Sequence, residues 1–197
     1  ARSSIASNAG FESPQTGTFV YNPADASWQF GTDSGVATNG SLFTTNQVAP
    51  DGVQVLFLQY QGSVSQILTG LVPGITYEVV YQAAQRATGY SWNHAGQTWD
   101  VRIDGATAGS FAPPQSATGY AEYSVRFTAT ADTHVLAFVG TNLNGGDNTV
   151  FIDDVSVVPM TTPIADHERL APSMEWTLGG GGETGIRLTA RDTVQGH

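Results

Sequence analysis

Two adjacent carboxylates, Asp153 and Asp154, stand in the middle of an apolar run, Val150-Phe151-Ile152-Asp153-Asp154-Val155-Ser156-Val157-Val158. A β-branched run of this kind reads as a strand, where an unpaired carboxylate is costly to bury without a positive partner. Lysine is absent from the 197-residue chain, and only seven arginines are present. A hard cation such as Ca2+, which prefers oxygen ligands, is the obvious counter-charge. Successive strand residues face opposite ways, so both carboxylates cannot point inward unless a bulge intervenes. One therefore reads as a ligand and the other as a solvated neighbour. The plainer alternative is a strand end where both meet water.

A second chemistry-bearing stretch is Arg86-Ala87-Thr88-Gly89-Tyr90-Ser91-Trp92-Asn93-His94-Ala95-Gly96-Gln97. It joins two strand-like segments, is too polar for a core, and still carries two large aromatics. Flat exposed rings stack on pyranose faces, and planar polar groups take up sugar hydroxyls. Tyr90 and Trp92 are the candidate platform, with Gln82, Arg86, Asn93 and His94 as hydrogen-bonding groups. Tyr60, ending its own strand, is placed at a cleft edge. The competing reading has Trp92 folded back to cap the sandwich. Tyr21, Phe43, Phe111 and Tyr120 occupy Gly/Pro-rich loops where any of them could wall a ligand. Trp28, Tyr77, Trp99 and Phe127 read as core.

Enzymatic signatures are scarce. The four histidines (His94, His134, His167, His197) show no zinc spacing. No Gly-x-Ser-x-Gly elbow exists, and Gly179–Gly182 lacks the lysine and strand–helix context of a phosphate loop. Glu12, Asp100, Glu122 and Asp153 could supply paired carboxylates for glycoside hydrolysis. Arg86, His94, Arg102 and Tyr60 could imitate a lyase cluster on a concave sheet. The sequence gives neither set a shared cleft.

The elements that must position these residues are strands. Glycine is abundant (23 residues), charged residues are only 12%, and no long helical periodicity appears. Short alternating segments recur near Ser4–Phe11, Val53–Tyr60, Ser63–Leu68, Ile75–Gln85, Thr98–Ile103, Tyr123–Phe127, His134–Gly140 and the Val150 run. Roughly eight or nine strands without helices imply an all-β, two-sheet antiparallel jelly roll. A linker at Thr161-Thr162-Pro163 and the glycine run divide the chain. Residues 1–159 read as the sandwich and 160–197 as a linker with an appended or truncated segment. The net charge of −10 disfavours nucleic acid and anionic membrane as partners. Cysteine is absent, which excludes disulfides and thiolate metal sites. No apolar run reaches membrane-spanning length. The start and composition fit a piece of a secreted bacterial protein with neighbouring domains.

Five short stretches then fall in a familiar order: Asn8-Ala9-Gly10-Phe11-Glu12, Pro50 to Gln59, Gly62 to Leu71, Pro73-Gly74-Ile75-Thr76-Tyr77, and Gly145 to Val157. Over roughly residues 4–158 the chain resembles the galactose-binding-like jelly rolls of bacterial extracellular proteins. These include carbohydrate-binding modules of the family four, nine, sixteen and twenty-two type. The resemblance implies a structural calcium site joining the first and last strands, with Glu12 and Asp153 as side-chain ligands and Asp154 as the alternative. Carbonyls near Asn8 and in the Asp33-Ser34-Gly35 turn would complete about six to eight oxygens. It also implies a non-catalytic glycan-binding module. The alternatives are a structural or adhesive spacer without a sugar site, or a jelly-roll polysaccharide lyase or hydrolase.

Overall fold

The computed structural model describes residues 4–24, 27–44, 47–87, 96–144 and 148–160. Every regular element among them is a strand: β1 (Phe19–Tyr21), β2 (Gln29–Phe30), β3 (Ser34–Thr38), β4 (Gln54–Gln59), β5 (Ser63–Thr69), β6 (Thr76–Gln85), β7 (Trp99–Ile103), β8 (Ala106–Phe111), β9 (Ala121–Thr128), β10 (Thr133–Gly140) and β11 (Thr149–Pro159). They form a six-stranded sheet, β1-β3-β4-β11-β6-β9, and a five-stranded sheet, β2-β5-β10-β7-β8. All pairings are antiparallel, so the molecule is the expected jelly-roll sandwich.

The period-two pattern explains the core. Leu56 and Leu58 of β4, Tyr77, Val79, Tyr81 and Ala83 of β6, and Val150 and Ile152 of β11 face inward. They meet Leu68, Trp99, Val101, Leu136 and Phe138 from the other sheet. Trp28, Trp99, Tyr77 and Phe127 join this cluster, as their positions imply. Phe111 does too, stacked on Trp99 with ring centroids 5.6 Å apart, so it walls no ligand.

The outer face of the six-stranded sheet is also apolar at its centre. Val55, Phe57 and Phe151 point outward there and are covered by Phe43 and Ala49, forming a second cluster. Both belong to the stretch between β3 and β4, where the Asn39 N–H bonds the Val53 carbonyl at 2.8 Å. β4 is accordingly buried on both faces.

Two expectations about elements change. Ser4–Phe11 is not a strand: Asn8 and Phe11 take positive φ (46° and 56°), which breaks extended pairing. The segment instead runs beside β11, with Ile5 N–H on the Val157 carbonyl and Val155 N–H on the Ala9 carbonyl. Of the expected Asp33-Ser34-Gly35 turn, Asp33 turns (φ 56°), while Ser34 and Gly35 open β3, with Ser34 fully buried and paired with Leu58. The Met160 N–H bonds the Thr76 carbonyl, carrying the sandwich one residue past the expected boundary. The expectation for 161–197 lies outside the described residues.

Candidate functional site

The acidic pair sits on a β-bulge. Asp153 pairs with Gln82 and Ser156 with Val80, so β11 carries one extra residue. Asp154 absorbs it in a left-handed conformation (φ 50°), tolerable for an Asp, and points to solvent. The inserted residue resets the alternation, which lets Val155 and Val157 return to the core. Asp153 faces the outer side of the sheet beside Phe151 and is 0% exposed. Its Oδ2 accepts the Asp51 backbone N–H at 2.8 Å, while its buried Oδ1 has no hydrogen-bond partner among the described residues. Burial pushes its carboxyl up to about 8, over the opposing effect of the Asp51 and Asp154 backbone N–H groups.

Glu12 reaches the same loop root: its Oε1 accepts the N–H groups of Val53 and Gln54 at 2.8 and 2.7 Å. Carboxylates from the two ends of the sandwich therefore grip Asp51–Gln54 together. The Asp51 carboxylate packs on Gly10, where a Cβ would come within 2.6 Å of Oδ2. Among the described residues the ion pairs are Asp100–Arg102, Glu78–Arg126 and Asp104–His134, and none involves this seam. Nor do three or more His, Asp or Glu side chains converge as a ready-made metal site among them. A cation on the orphaned Asp153 oxygen would need main-chain carbonyls to complete its shell. Asn8 cannot easily supply one, because its carbonyl already accepts Phe11 N–H and Trp28 Nε1–H. Ser34 lies at the other end of β3, its hydroxyl bonded to the Ser63 and Gly31 carbonyls at 2.7 and 3.0 Å. The unpaired buried Asp153 Oδ1 is a hard oxygen donor of the kind Ca2+ takes; Asn8 and Ser34 are not part of that arrangement.

The aromatic residues gather elsewhere on the same outer face. On edge strand β1, Phe19 and Tyr21 alternate with inward Val20 and project outward, 41% and 43% exposed. Their partners on β3 are Ala37 and Gly35, small enough for both rings to lean inward over the sheet. Tyr21 meets Phe57 edge-on at 4.9 Å, and Phe19 meets Phe43 at 4.9 Å. The two exposed rings stand at 87° to each other, forming a corner. Beneath them the Tyr21 hydroxyl donates to Gln59 Oε1 at 2.5 Å, and Gln59 Nε2 donates to Thr149 Oγ1 at 3.0 Å. Arg86 N–H bonds the Thr149 carbonyl, and its guanidinium lies 4.4 Å over the Phe43 ring. Arg86 is therefore buried (7% exposed), bonded through Nη2 to the Leu42 carbonyl at 3.4 Å. It supports the corner from below.

Other candidates scatter. Tyr60 is 37% exposed at the β4–β5 turn, its N–H on Asn148 Oδ1 and its carbonyl on Gln97 Nε2. Gln82 is half-buried on the outer face, in register with Asp153 on one side and Glu122 on the other. Tyr120 packs on the second cluster, where burial and then the Asp153 charge raise its phenol far above the ordinary range. Tyr90, Trp92, Asn93 and His94 lie outside the described residues. The sequence reading left Phe19, Gln59 and Thr149 unassigned. The signal available was the Phe-Val-Tyr alternation opposite Gly35 and Ala37.

Of the lyase-like cluster, Arg86 and Arg102 stand apart, and His94 lies outside the described residues. Arg102 and Asp100 bond each other at 2.8 Å on the outer face of the five-stranded sheet, opposite the Arg86 side of the sandwich. His134 is 4% exposed; Nδ1 faces Asp104 Oδ2 at 2.6 Å, and Nε2 accepts the N–H groups of Thr130 and Ala131. An imidazole engaged at both nitrogens has no lone pair left for base catalysis.

No family model and no curated protein matches the chain. Solved structures do. A cyclase from Fischerella sp. TAU, in complex with 4-(1H-indol-3-yl)butan-2-one, matches with TM-score 0.57 and 18% identity over 77% of this chain and 94% of its own. The carbohydrate-binding module TmCBM61, in complex with β-1,4-galactotriose, matches with TM-score 0.51 and 16% identity over 79% and 98%. The K2 cleaved adhesin domain of Lys-gingipain gives 0.51 and 19% over 76% and 96%. No helix among the described residues is long and apolar enough to cross a membrane. With these likenesses and its own two-sheet topology, the chain has a jelly-roll β-sandwich fold.

Proposed function

We propose that the chain is a non-catalytic carbohydrate-binding module of a larger secreted protein, with a structural calcium at the Asp153–Glu12 seam. The observation that carries the sugar reading is the Phe19–Tyr21 corner. Exposed rings on an edge strand are an aggregation liability unless they serve a ligand. Here Tyr21 is further held by a buried amide at 2.5 Å, which fixes its orientation before any ligand arrives. Two fixed perpendicular rings, held from below by the buried Gln59 amide, offer stacking faces to a sugar. Tyr90, Trp92, Asn93 and His94, which lie outside the described residues, and Tyr60 are further candidate sugar contacts in this reading. TmCBM61, which this chain matches over nearly its whole length, was solved with a galactotriose, and that supports a glycan as the ligand class. The buried, doubly bonded His134 and the separated arginines support the absence of catalysis.

Affinity gels containing a panel of bacterial and plant polysaccharides test the proposal. Retardation by at least one polysaccharide, weakened about ten-fold or more in Tyr21→Ala and in Trp92→Ala, is the expected result. Retention unchanged in both variants would remove the aromatic site. Absence of binding to every glycan would favour the spacer reading, and release of soluble sugar would revive the enzyme.

A further inference from the structure

A cavity of about 220 Å3 opens on the five-stranded sheet, lined by Ser7, Ser27, Gln29, Ser65, Gln66 and Ile67. It lies where β2 stops. β2 pairs only with Val64 and Ser65, so beyond them β5 has no strand partner on that side among the described residues. Gln66, only 6% exposed, holds the walls in place. Its Oε1 accepts the Ser7 N–H at 2.8 Å, and its Nε2 donates to the carbonyls of Ser7 and Ser27 at 2.9 and 3.4 Å. One buried amide thus pins two separate segments to β5 and fixes the cavity before any ligand enters.

The lining selects the occupant. Among the described residues no titratable side chain lines the cavity, so a charged ligand finds no counter-charge there. The Ser7, Ser27 and Ser65 hydroxyls and the Gln29 amide spend no hydrogen bond on the described protein. Gln29 and Ser65 stand in register across β2 and β5. Beside them Ile67 is 60% exposed, in register with the exposed Val135 of β10. Unspent hydroxyls and an amide around one apolar wall match a sugar ring, which carries hydroxyls on its rim and C–H groups on its faces. The volume is below the ~300–1,000 Å3 of ordinary ligand pockets, which suits a single ring and not a chain. We infer that this cavity is a second carbohydrate subsite, taking one neutral sugar ring on the opposite sheet from the aromatic corner. It goes beyond the reading of the corner and stands on different residues.

Amide chemical shifts of the whole isotope-labelled chain, titrated with the methyl glycosides of galactose, glucose, mannose, xylose and arabinose, test the site. At least one glycoside should give saturable shifts at Ser7, Ser27, Gln29, Ser65 and Ile67, in the millimolar range that so small a contact allows. Ser65→Val keeps a strand-forming residue and removes the hydroxyl; Gln29→Leu removes the amide at an exposed position. Each should weaken that glycoside about five-fold or more, the worth of one lost hydrogen bond, with the rest of the spectrum unchanged. Tyr21→Ala should leave the cavity shifts as they are, because the corner belongs to the other sheet. Glycerol offers hydroxyls without a ring, so equal saturation by glycerol would reduce the cavity to an unspecific polyol contact and overturn the subsite. Shifts confined to Phe19, Tyr21 and Gln59, or no saturable shift with any of the five glycosides, would overturn it too. Cavity shifts that survive both Ser65→Val and Gln29→Leu would do the same. The two sites fail separately: polysaccharide retention in Tyr21→Ala decides the corner, and glycoside shifts in Ser65→Val decide the cavity.

Discussion

At the scale of single residues, the seam is governed by where a carboxylate keeps its proton. Asp153 is pushed up to about 8, mainly by burial. Between the ordinary carboxylate value near ~4 and about 8, the folded protein therefore binds a proton that the unfolded chain does not. In chelator, stability should be greatest below that window and fall as pH rises through it. The melting temperature of the ion-free chain is expected to drop by several degrees from about pH 5 to about pH 8, and Asp153→Asn should flatten the slope. A wild-type profile that rises over this range would contradict the burial of Asp153. His134 makes a different residue-scale case. Its Nε2 receives two backbone N–H groups and its Nδ1 faces Asp104, so the ring ties the β9–β10 turn to the β7–β8 turn. Asp104 is held below the usual carboxylate range by the Val135 N–H and then by His134. His134→Ala would exchange the Nε2 bonds to the exposed Thr130 and Ala131 N–H groups for water, at about 0.5–1.5 kcal/mol each, a loss that chemical denaturation would report.

At the scale of elements, the corner depends on what β3 leaves out. A Cβ on Gly35 would overlap the Val20 carbonyl and approach Phe57 Cζ to 2.7 Å. Gly35→Ala should therefore push β1 off the sheet edge, destabilise the sandwich by about 1–3 kcal/mol, and weaken sugar retention with it. Unchanged stability would mean that β1 does not pair as described. This element also shows why parts of the chain could be read in advance and others could not. Long strands with clean alternation, β6 above all, announce both their existence and their inward faces. β1 and β2 are three and two residues long, too short for any period to register. β3 begins with Ser34-Gly35 directly after Asp33, residues that ordinarily mark turns; Asp33 does turn (φ 56°), and only pairing with β4 extends the other two. Strand alternation made legible that one carboxylate of the pair would be held and the other solvated, as Asp153 and Asp154 are, but not the bulge that returns Val155 and Val157 to the core. The Phe19–Tyr21 corner was not, because its second half comes from β4 and β11, far along the chain. Ser34 was misplaced for the same reason as β3.

At the scale of the whole molecule, the chain carries a net charge of −10, and its described ion pairs leave the seam unneutralised. Any ion that binds only the folded form stabilises it by mass action, by about 2.7 kcal/mol at a concentration 100-fold above the dissociation constant. For a domain of this size, that corresponds to a rise in melting temperature of roughly 5–10 °C. General screening of negative charge would also raise the melting temperature, so the comparison must hold ionic strength fixed. Exposed charges are screened by any salt over about 8–10 Å near physiological strength, whereas a buried carboxylate oxygen is satisfied only by an ion that enters. Calcium should therefore outperform sodium at matched ionic strength, and Asp153→Asn should reduce calcium to sodium's effect. Equal shifts from the two salts in the wild type would assign the stabilisation to bulk charge and leave the seam without its ion.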